Sequence, residues 1–374
     1  MNQFQLDLYT NLMNLTKESD TFYFQDFVLD KCSYRIFNYR LSSYTEFLRP
    51  SAQECRGHMF EIDSNGNALR FAAMPMHKFF NMNENPSTMD VDLSTVVAVM
   101  DKADGSLIST YMHDDELRLK SKGSLFSEQA VNAMLWLDRS ENVYFKQLLT
   151  DFAAGGTTVN LEWVSPNNRI VLGYLEPNLL VLNARSTETG EYVNPWILHE
   201  HMAASVDLDG LDIVQFVNGI PDMLDDIEGY VVKLADGKWM KIKTSKYLSL
   251  HHAKDSVNNP RRLYECVLEE GVDDLRSMFF HDALAMKLIE EMQEKVTRLY
   301  NHVVKTIEDF YEANKALDRK SYAIKGRDEL EDLYFGLAMS KYLERPVDYK
   351  AFMVSRYKEF GFKDEAVISI DEDE

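Results

Sequence analysis

The segment Lys102-Ala103-Asp104-Gly105-Ser106 holds a lysine beside a turn-forming Asp-Gly pair, between two short apolar runs at residues 96–100 and 107–111 that read as strands. Its plain structural reading is a hairpin in which Asp-Gly supplies positive φ. Its chemical reading presents Lys102 at the edge of a sheet as a nucleophile towards the α-phosphorus of a nucleotide. An ordinary lysine ammonium, with a pKa near 10.4, is only about 0.04% neutral at pH 7. Nearby cations, partial burial and a hydrated metal ion all favour the neutral amine. The chemical reading therefore demands further cations, and carboxylates able to hold a metal.

The chain contains both, in a fixed order. Arg56-Gly57 and Lys78-Phe79-Phe80 precede Lys102; Lys120-Ser121-Lys122-Gly123-Ser124, Asn160-Leu161-Glu162-Trp163, Ile227-Glu228-Gly229-Tyr230-Val231 and Lys241-Ile242-Lys243 follow it. Singly, Glu162 and Glu228 would pass as exposed strand residues and the two lysines as the solvent face of an edge strand. The spacing of two does place Lys241 and Lys243 on one strand face, where both could grip a single polyphosphate. Taken together, the identity and order of these fragments resemble the motif set of covalent nucleotidyltransferases: RNA ligases, DNA ligases and messenger-RNA capping enzymes.

Further fragments narrow the likeness. Glu54-Cys55-Arg56-Gly57, Lys78 to Asn81 with Asn83-Glu84-Asn85-Pro86, Leu119 to Ser124, and Thr189-Gly190-Glu191-Tyr192 resemble the RNA ligase 1 family of T-even bacteriophages. The likeness is strongest before residue 260 and weaker beyond it, where Asp273-Asp274-Leu275 and Asp318-Arg319-Lys320 still match. By that resemblance Lys102 is the lysine that becomes adenylated, and Tyr39, Arg56, Lys78 and Phe80 line the ATP pocket. Glu162 meets the ribose or the metal's hydration shell, and Glu228 positions the metal. Lys120, Lys122, Lys241 and Lys243 contact phosphates or assist pyrophosphate departure, and Tyr247 stands near the site. The family associates Asp273 with a divalent ion; in this sequence alone it would pass as a helix N-cap. His77 departs from the pattern, standing where an acidic residue is more usual.

The resemblance implies an ATP-dependent RNA ligase that joins 5′-phosphate and 3′-hydroxyl ends, uses Mg²⁺ or Mn²⁺, works as a monomer and repairs RNA such as a nicked transfer RNA. DNA ligases and capping guanylyltransferases share the lysine chemistry, and a catalytically dead RNA-binding relative would keep the fold. The first two normally append a small β-barrel, whereas this chain ends in helical periodicity.

The elements that must position these residues follow from the apolar pattern. Runs at 96–100, 107–111, 170–174, 179–182 and 229–234 predict strands, and residues 4–15 and 127–152 predict helices. Leu288, Met292, Val296, Leu299, Val303, Ile307 and Phe310 recur at steps of three and four, the mark of a long amphipathic helix. A second helical stretch, 328–343, follows a loop expected around 320–326. The fold class is α+β: a nucleotidyltransferase (ATP-grasp-like ligase) domain of mainly antiparallel sheets over 1–253, then an all-helical domain over 254–374 expected to recognise RNA. A length of 374 residues accommodates two such domains, and 45% hydrophobic residues suffice for packed cores.

The formal net charge of -21 excludes nucleic-acid binding by bulk electrostatics, so cations must be concentrated at the site. Three scattered cysteines, Cys32, Cys55 and Cys266, fit neither a disulfide framework nor a zinc cluster and suit a reducing cytoplasm. No leader or membrane span is visible. His199-Glu200-His201 lacks a matched third ligand and reads as solvated surface, as does His251-His252. The 18 methionines read as core filler. The acidic end at residues 371–374 is expected to lie outside the fold.

Overall fold

A computed structural model describes residues 1–168, 171–250, 257 and 259–362. The chain divides into two compact units, Met1–His252 and Ala253–Glu374. His251, His252, Ile170 and the acidic end fall outside the described residues.

The first unit opens with helix α1 (Gln3–Glu18), started by a reciprocal cap in which the Asn2 side chain accepts from the Gln5 amide and the Gln5 side chain accepts from the Asn2 amide. Among the described residues thirteen strands follow: β1 (Phe22–Leu29), β2 (Cys32–Tyr39), β3 (His58–Ile62), β4 (Ala68–Ala73), β5 (Phe80–Asn81), β6 (Val96–Asp101), β7 (Ser106–His113), β8 (Glu116–Ser121), β9 (Thr157–Val164), β10 (Asn178–Ser186), β11 (Tyr192–Val193), β12 (Gly229–Leu234) and β13 (Trp239–Lys243). They form three sheets, ordered β1-β2-β3-β4, β11-β10-β9-β7-β8 and β5-β13-β12-β6. Every pairing is antiparallel except β5 with β13.

Helices α2 (Glu128–Leu137) and α3 (Val143–Ala154) pack Ala130, Ala133, Leu137, Phe145, Leu148 and Leu149 on the middle sheet. The single helix expected over 127–152 is thus two, divided where Arg139 turns to extended backbone. Two shorter helices, α4 (Ile213–Gly219) and α5 (Ser245–Leu250), complete this unit. The strand expected over 170–174 is not found: from Val171 to Tyr174 the backbone is irregular. Its amides have a different acceptor, since Val171 and Leu172 N–H donate to the buried Asp104 carboxylate at 2.8 and 2.7 Å.

In the second unit the described elements are helices: α6 (Pro260–Leu268), α7 (Val272–Met278), α8 (Ala283–Asn314), α9 (Arg319–Glu329), α10 (Asp332–Tyr342) and α11 (Tyr349–Ser355). The long α8 buries Val303, Ile307 and Phe310 of the stripe seen in the sequence against Tyr322, Tyr334 and Ala338, and Val296 is buried as well, while Leu288, Met292 and Leu299 are half-buried. The loop expected around 320–326 is helix α9. Asp318 caps it by accepting from the Lys320 and Ser321 amides, and Gly326 sits where a Cβ would stand 3.3 Å from the Phe335 ring. Gly326 is therefore a packing residue, although in the sequence it resembles a breaker.

Candidate active site

Lys102 stands just past the end of β6, the edge strand of the third sheet. Segment 102–105 is no hairpin. It crosses from β6 of one sheet to β7 of another, and Gly105 does not have positive φ. Glycine is needed there because a Cβ would lie 2.3 Å from the Trp163 carbonyl oxygen. Lys102 is held on the other side by its own amide, which donates to Gly229 O at 2.9 Å. Gly229 itself has φ +147°, and a Cβ there would meet Ile242 O at 2.0 Å, so residue 229 has to be glycine. These two close approaches fix the nucleophile candidate and Glu228 relative to each other.

Glu228 is 3% exposed, and its carboxylate gathers two lysines: Lys102 Nζ lies 2.7 Å from Oε2 and Lys243 Nζ 3.2 Å from Oε1. The Lys102 approach is an ion pair lying off the hydrogen-bond direction, and Oε2 has no aligned donor. Glu162 projects from β9, opposite Leu107 of β7 and Leu180 of β10. Burial pushes its carboxyl up to about 7; Lys102 and Arg56 oppose that rise and Glu228 adds to it. Lys102, Glu162, Glu228 and Arg56 thus share one electrostatic neighbourhood.

Lys241 and Lys243 alternate with the buried Met240 and Ile242 on β13, so both project from the same face. Lys243 Nζ also lies 5.3 Å from the centre of the buried Tyr247 ring. A second cationic group surrounds Tyr39, with Lys122 Nζ 5.0 Å and Lys78 Nζ 6.0 Å from its ring centre. Lys78 is also 5.3 Å from Phe80, but Phe80 is 5% exposed and packs edge-on against Tyr44 and Phe47 as part of the core. Arg56 donates to Met76 O at 3.4 Å. The structure therefore brings Lys102, Glu162, Glu228, Lys243 and Arg56 together, and Tyr39, Lys78 and Lys122 together. Asp273 lies in the other unit, two residues inside the start of α7, where Gly271 and not Asp273 is the N-cap.

A family model described as RNA ligase matches residues 54–248, just over half of the chain, and one described as T4 RNA ligase 1, C-terminal domain, matches residues 254–363. The chain belongs to the RNA ligase family. Among named relatives, a candidate RNA ligase of Thermovibrio ammonificans is 22% identical over 79% of each chain. RNA ligase 1 of Bacteriophage TS2126 is 29% identical over 69% of this chain and 66% of its own. A Naegleria gruberi RNA ligase mutant solved with ATP and Mn superposes with a TM-score of 0.38 and 17% identity, covering 51% of this chain and 63% of its own. The chain spans under two thirds of the length of the phage and Naegleria proteins.

Several motif residues of the ligase have positions that sequence spacing could not disclose. Lys120, expected among the phosphates, is fully buried and donates to Gly57 O and Ser121 O, both at 2.8 Å. Burial pushes its ammonium down to about 7. Lys120 ties the Arg56-Gly57 turn to the segment carrying Lys122, next to Gly57 at φ +91°. Glu54 takes a two-pronged grip from Arg185, at 2.8 and 3.0 Å, and has His58 Nε2 at 3.0 Å. Burial alone would raise the Glu54 carboxyl, yet His58 and Arg185 hold it well below the usual range. Glu54 and His58 of that network flank Arg56 in the chain, two residues to either side.

Asp104, by sequence a turn residue, is part of the frame under the site. It is 1% exposed; its Oδ1 accepts from Tyr247 OH at 2.8 Å and its amide donates to Tyr174 OH at 2.9 Å. Tyr247 is thereby a buried strut under the 102–105 crossing. Within the other sequence candidates, His199 is exposed and the His201 ring stacks on Phe145 at 3.8 Å, an ordinary packing contact.

Proposed function

We propose that this RNA ligase is ATP-dependent and joins 5′-phosphate and 3′-hydroxyl RNA ends by way of a covalent lysyl-AMP at Lys102. The carrying observation is the buried Glu228 carboxylate that pairs with both Lys102 and Lys243, with the Glu162 carboxyl in the same electrostatic neighbourhood. The Lys102 amine attacks the α-phosphorus of ATP as pyrophosphate leaves, AMP passes to the RNA 5′-phosphate, and the 3′-hydroxyl then displaces AMP. Each step is an in-line displacement in which the protein orients the reactants and offsets charge.

Lys241, Lys243 and Lys122 compensate the polyphosphate charge, while Tyr39, Arg56 and Lys78 line the nucleotide pocket. Glu228 and Glu162 fit a hard divalent cation: both are oxygen donors in one electrostatic neighbourhood, and a bound cation would favour the ionised form of Glu162 that burial and Glu228 disfavour. A Mg²⁺ or Mn²⁺ ion bound there supplies Lewis-acid charge neutralisation at the phosphates.

The division of labour falls at 253/254, between the two stretches matched by the family models, with the helical region recognising the RNA. A nicked transfer RNA, a monomeric enzyme, a cytoplasmic setting and a divalent-ion role for Asp273 belong to the same reading. Among the described residues no helix is long and apolar enough to cross a membrane. Incubation with α-labelled ATP and Mg²⁺ followed by denaturing electrophoresis tests the proposal. Label should remain on the wild-type chain, vanish in Lys102→Ala, and not be replaced by label from GTP. An unlabelled wild-type protein sinks the proposal, and a panel of nicked RNAs tests the substrate.

A further inference from the structure

Two tight hairpins from different sheets converge on one side of the first unit. Strand β1 turns into β2 through Asp30-Lys31, and β7 turns into β8 through Asp114-Asp115. Asp30, Asp114 and Asp115 all take positive φ, at 51°, 47° and 61°, the backbone that two-residue turns require. At the hairpin ends stand a thiol, Cys32, and an imidazole, His113. The donor atoms of Cys32, His113 and Asp114 all lie within 4.8 Å of one another. Asp114 Oδ2 is 3.7 Å from His113 Nε2, and Asp30 Oδ2 is 3.0 Å from the same nitrogen.

We propose that Cys32, His113 and Asp114 ligate a structural divalent metal of the zinc class, with Asp30 as fourth donor, tying the β1-β2 hairpin to the β7-β8 hairpin. His113 is 2% exposed, and its Nδ1 lies 2.8 Å from Tyr34 OH. That contact fixes the ring with Nε2 facing the carboxylates, as in metal-bound histidines whose second nitrogen is held by a neighbour. A thiolate, an imidazole and carboxylates form a mixed S, N, O set that favours a tetrahedral, borderline-soft ion over magnesium or calcium.

Zinc bonds of roughly 2.0 to 2.3 Å require donors about 3.3 to 3.8 Å apart. The exposed turn carboxylates can supply that contraction by side-chain rotation, because Asp30 and Asp114 are 67% and 74% exposed. None of the four residues belongs to the Lys102 constellation.

The test is titration of chelator-treated full-length protein with Co²⁺ in excess Mg²⁺, which keeps the oxygen-ligand site occupied. The expected result is one cobalt per chain with a thiolate-to-cobalt charge-transfer band that is absent in Cys32→Ser. Zn²⁺ should raise the melting temperature of the wild type and leave that of Cys32→Ser unchanged. Asp114→Asn keeps a residue that tolerates positive φ, so the turn should fold, yet its cobalt affinity should fall at least about tenfold. A folded wild type without the band overturns the proposal. So does a band that survives Cys32→Ser, which would arise from Cys55 or Cys266, or an Asp114→Asn protein that binds cobalt as tightly as the wild type.

Discussion

Replacing Glu228 by glutamine tests both the chemistry and the architecture of the site. The amide keeps the shape of the carboxylate and removes its charge, leaving the Lys102 and Lys243 ammoniums, 22% and 12% exposed, without their shared counter-ion. At separations of 2.7 and 3.2 Å the two attractions amount to about 6 and about 5 kcal/mol in an effective dielectric of about 20. Desolvation of a buried carboxylate and repulsion between the lysines offset most of that sum. Removing one partner of a buried ion pair costs about 3 to 5 kcal/mol, and partial solvent access by both lysines favours the lower figure. Glu228→Gln should therefore lose about 3 kcal/mol in urea unfolding. Single-turnover adenylation with labelled ATP should fall by about 10² to 10³, the loss expected when one preorganised electrostatic group is removed. Measurements below the variant's urea transition separate the two effects. Adenylation within about threefold of wild type, with an unchanged urea midpoint, would refute the reasoning.

Other perturbations follow from the same geometry. The Glu162 carboxyl, raised by burial to about 7, holds a proton in the folded state that the unfolded chain gives up near the ordinary value of 4.5. Stability should therefore be greatest below pH 4.5 as far as this group is concerned and decline as pH rises to 7, by at most about 3 kcal/mol. Glu162→Gln should flatten that decline, as read by urea midpoints at pH 5 and pH 7.5 without divalent ions; parallel curves for the two proteins would contradict the assignment. Lys120→Met keeps the buried volume but leaves the Gly57 and Ser121 carbonyls unpaired, so stability should fall by about 1 to 3 kcal/mol. Adenylation should fall with it through displacement of Arg56 and Lys122, and ATP affinity equal to wild type would show that the tie does not position them. Gly229→Ala places a Cβ 2.0 Å from Ile242 O and should cost more than about 3 kcal/mol or prevent folding, measured by soluble yield and thermal melting.

The sequence was most informative where one local rule decided the outcome. Val296, Val303, Ile307 and Phe310 of the three-and-four spacing lie in the buried stripe of α8, whereas Leu288, Met292 and Leu299 are half-buried beside Ile289, Gln293 and Tyr300; the step of two between Lys241 and Lys243 does place them on one face. It was least informative where a distant partner decided. Gly326 looks like a breaker until Phe335 is seen against it. Val171 and Leu172 look like a strand until Asp104, some 67 residues earlier, takes their amides. Lys120 looks like another phosphate contact until the Gly57 carbonyl, 63 residues away, is found on its ammonium. Asp-Gly at 104–105 had a sound local explanation as a hairpin, yet its glycine is fixed by the Trp163 carbonyl and its aspartate by Tyr247. Residue type, order and the resemblance they carry singled out Lys102, Glu162 and Glu228, and the fold brings these three into one neighbourhood. Which cation touches substrate and which holds the frame depends on burial, and burial is set by residues far apart in the chain.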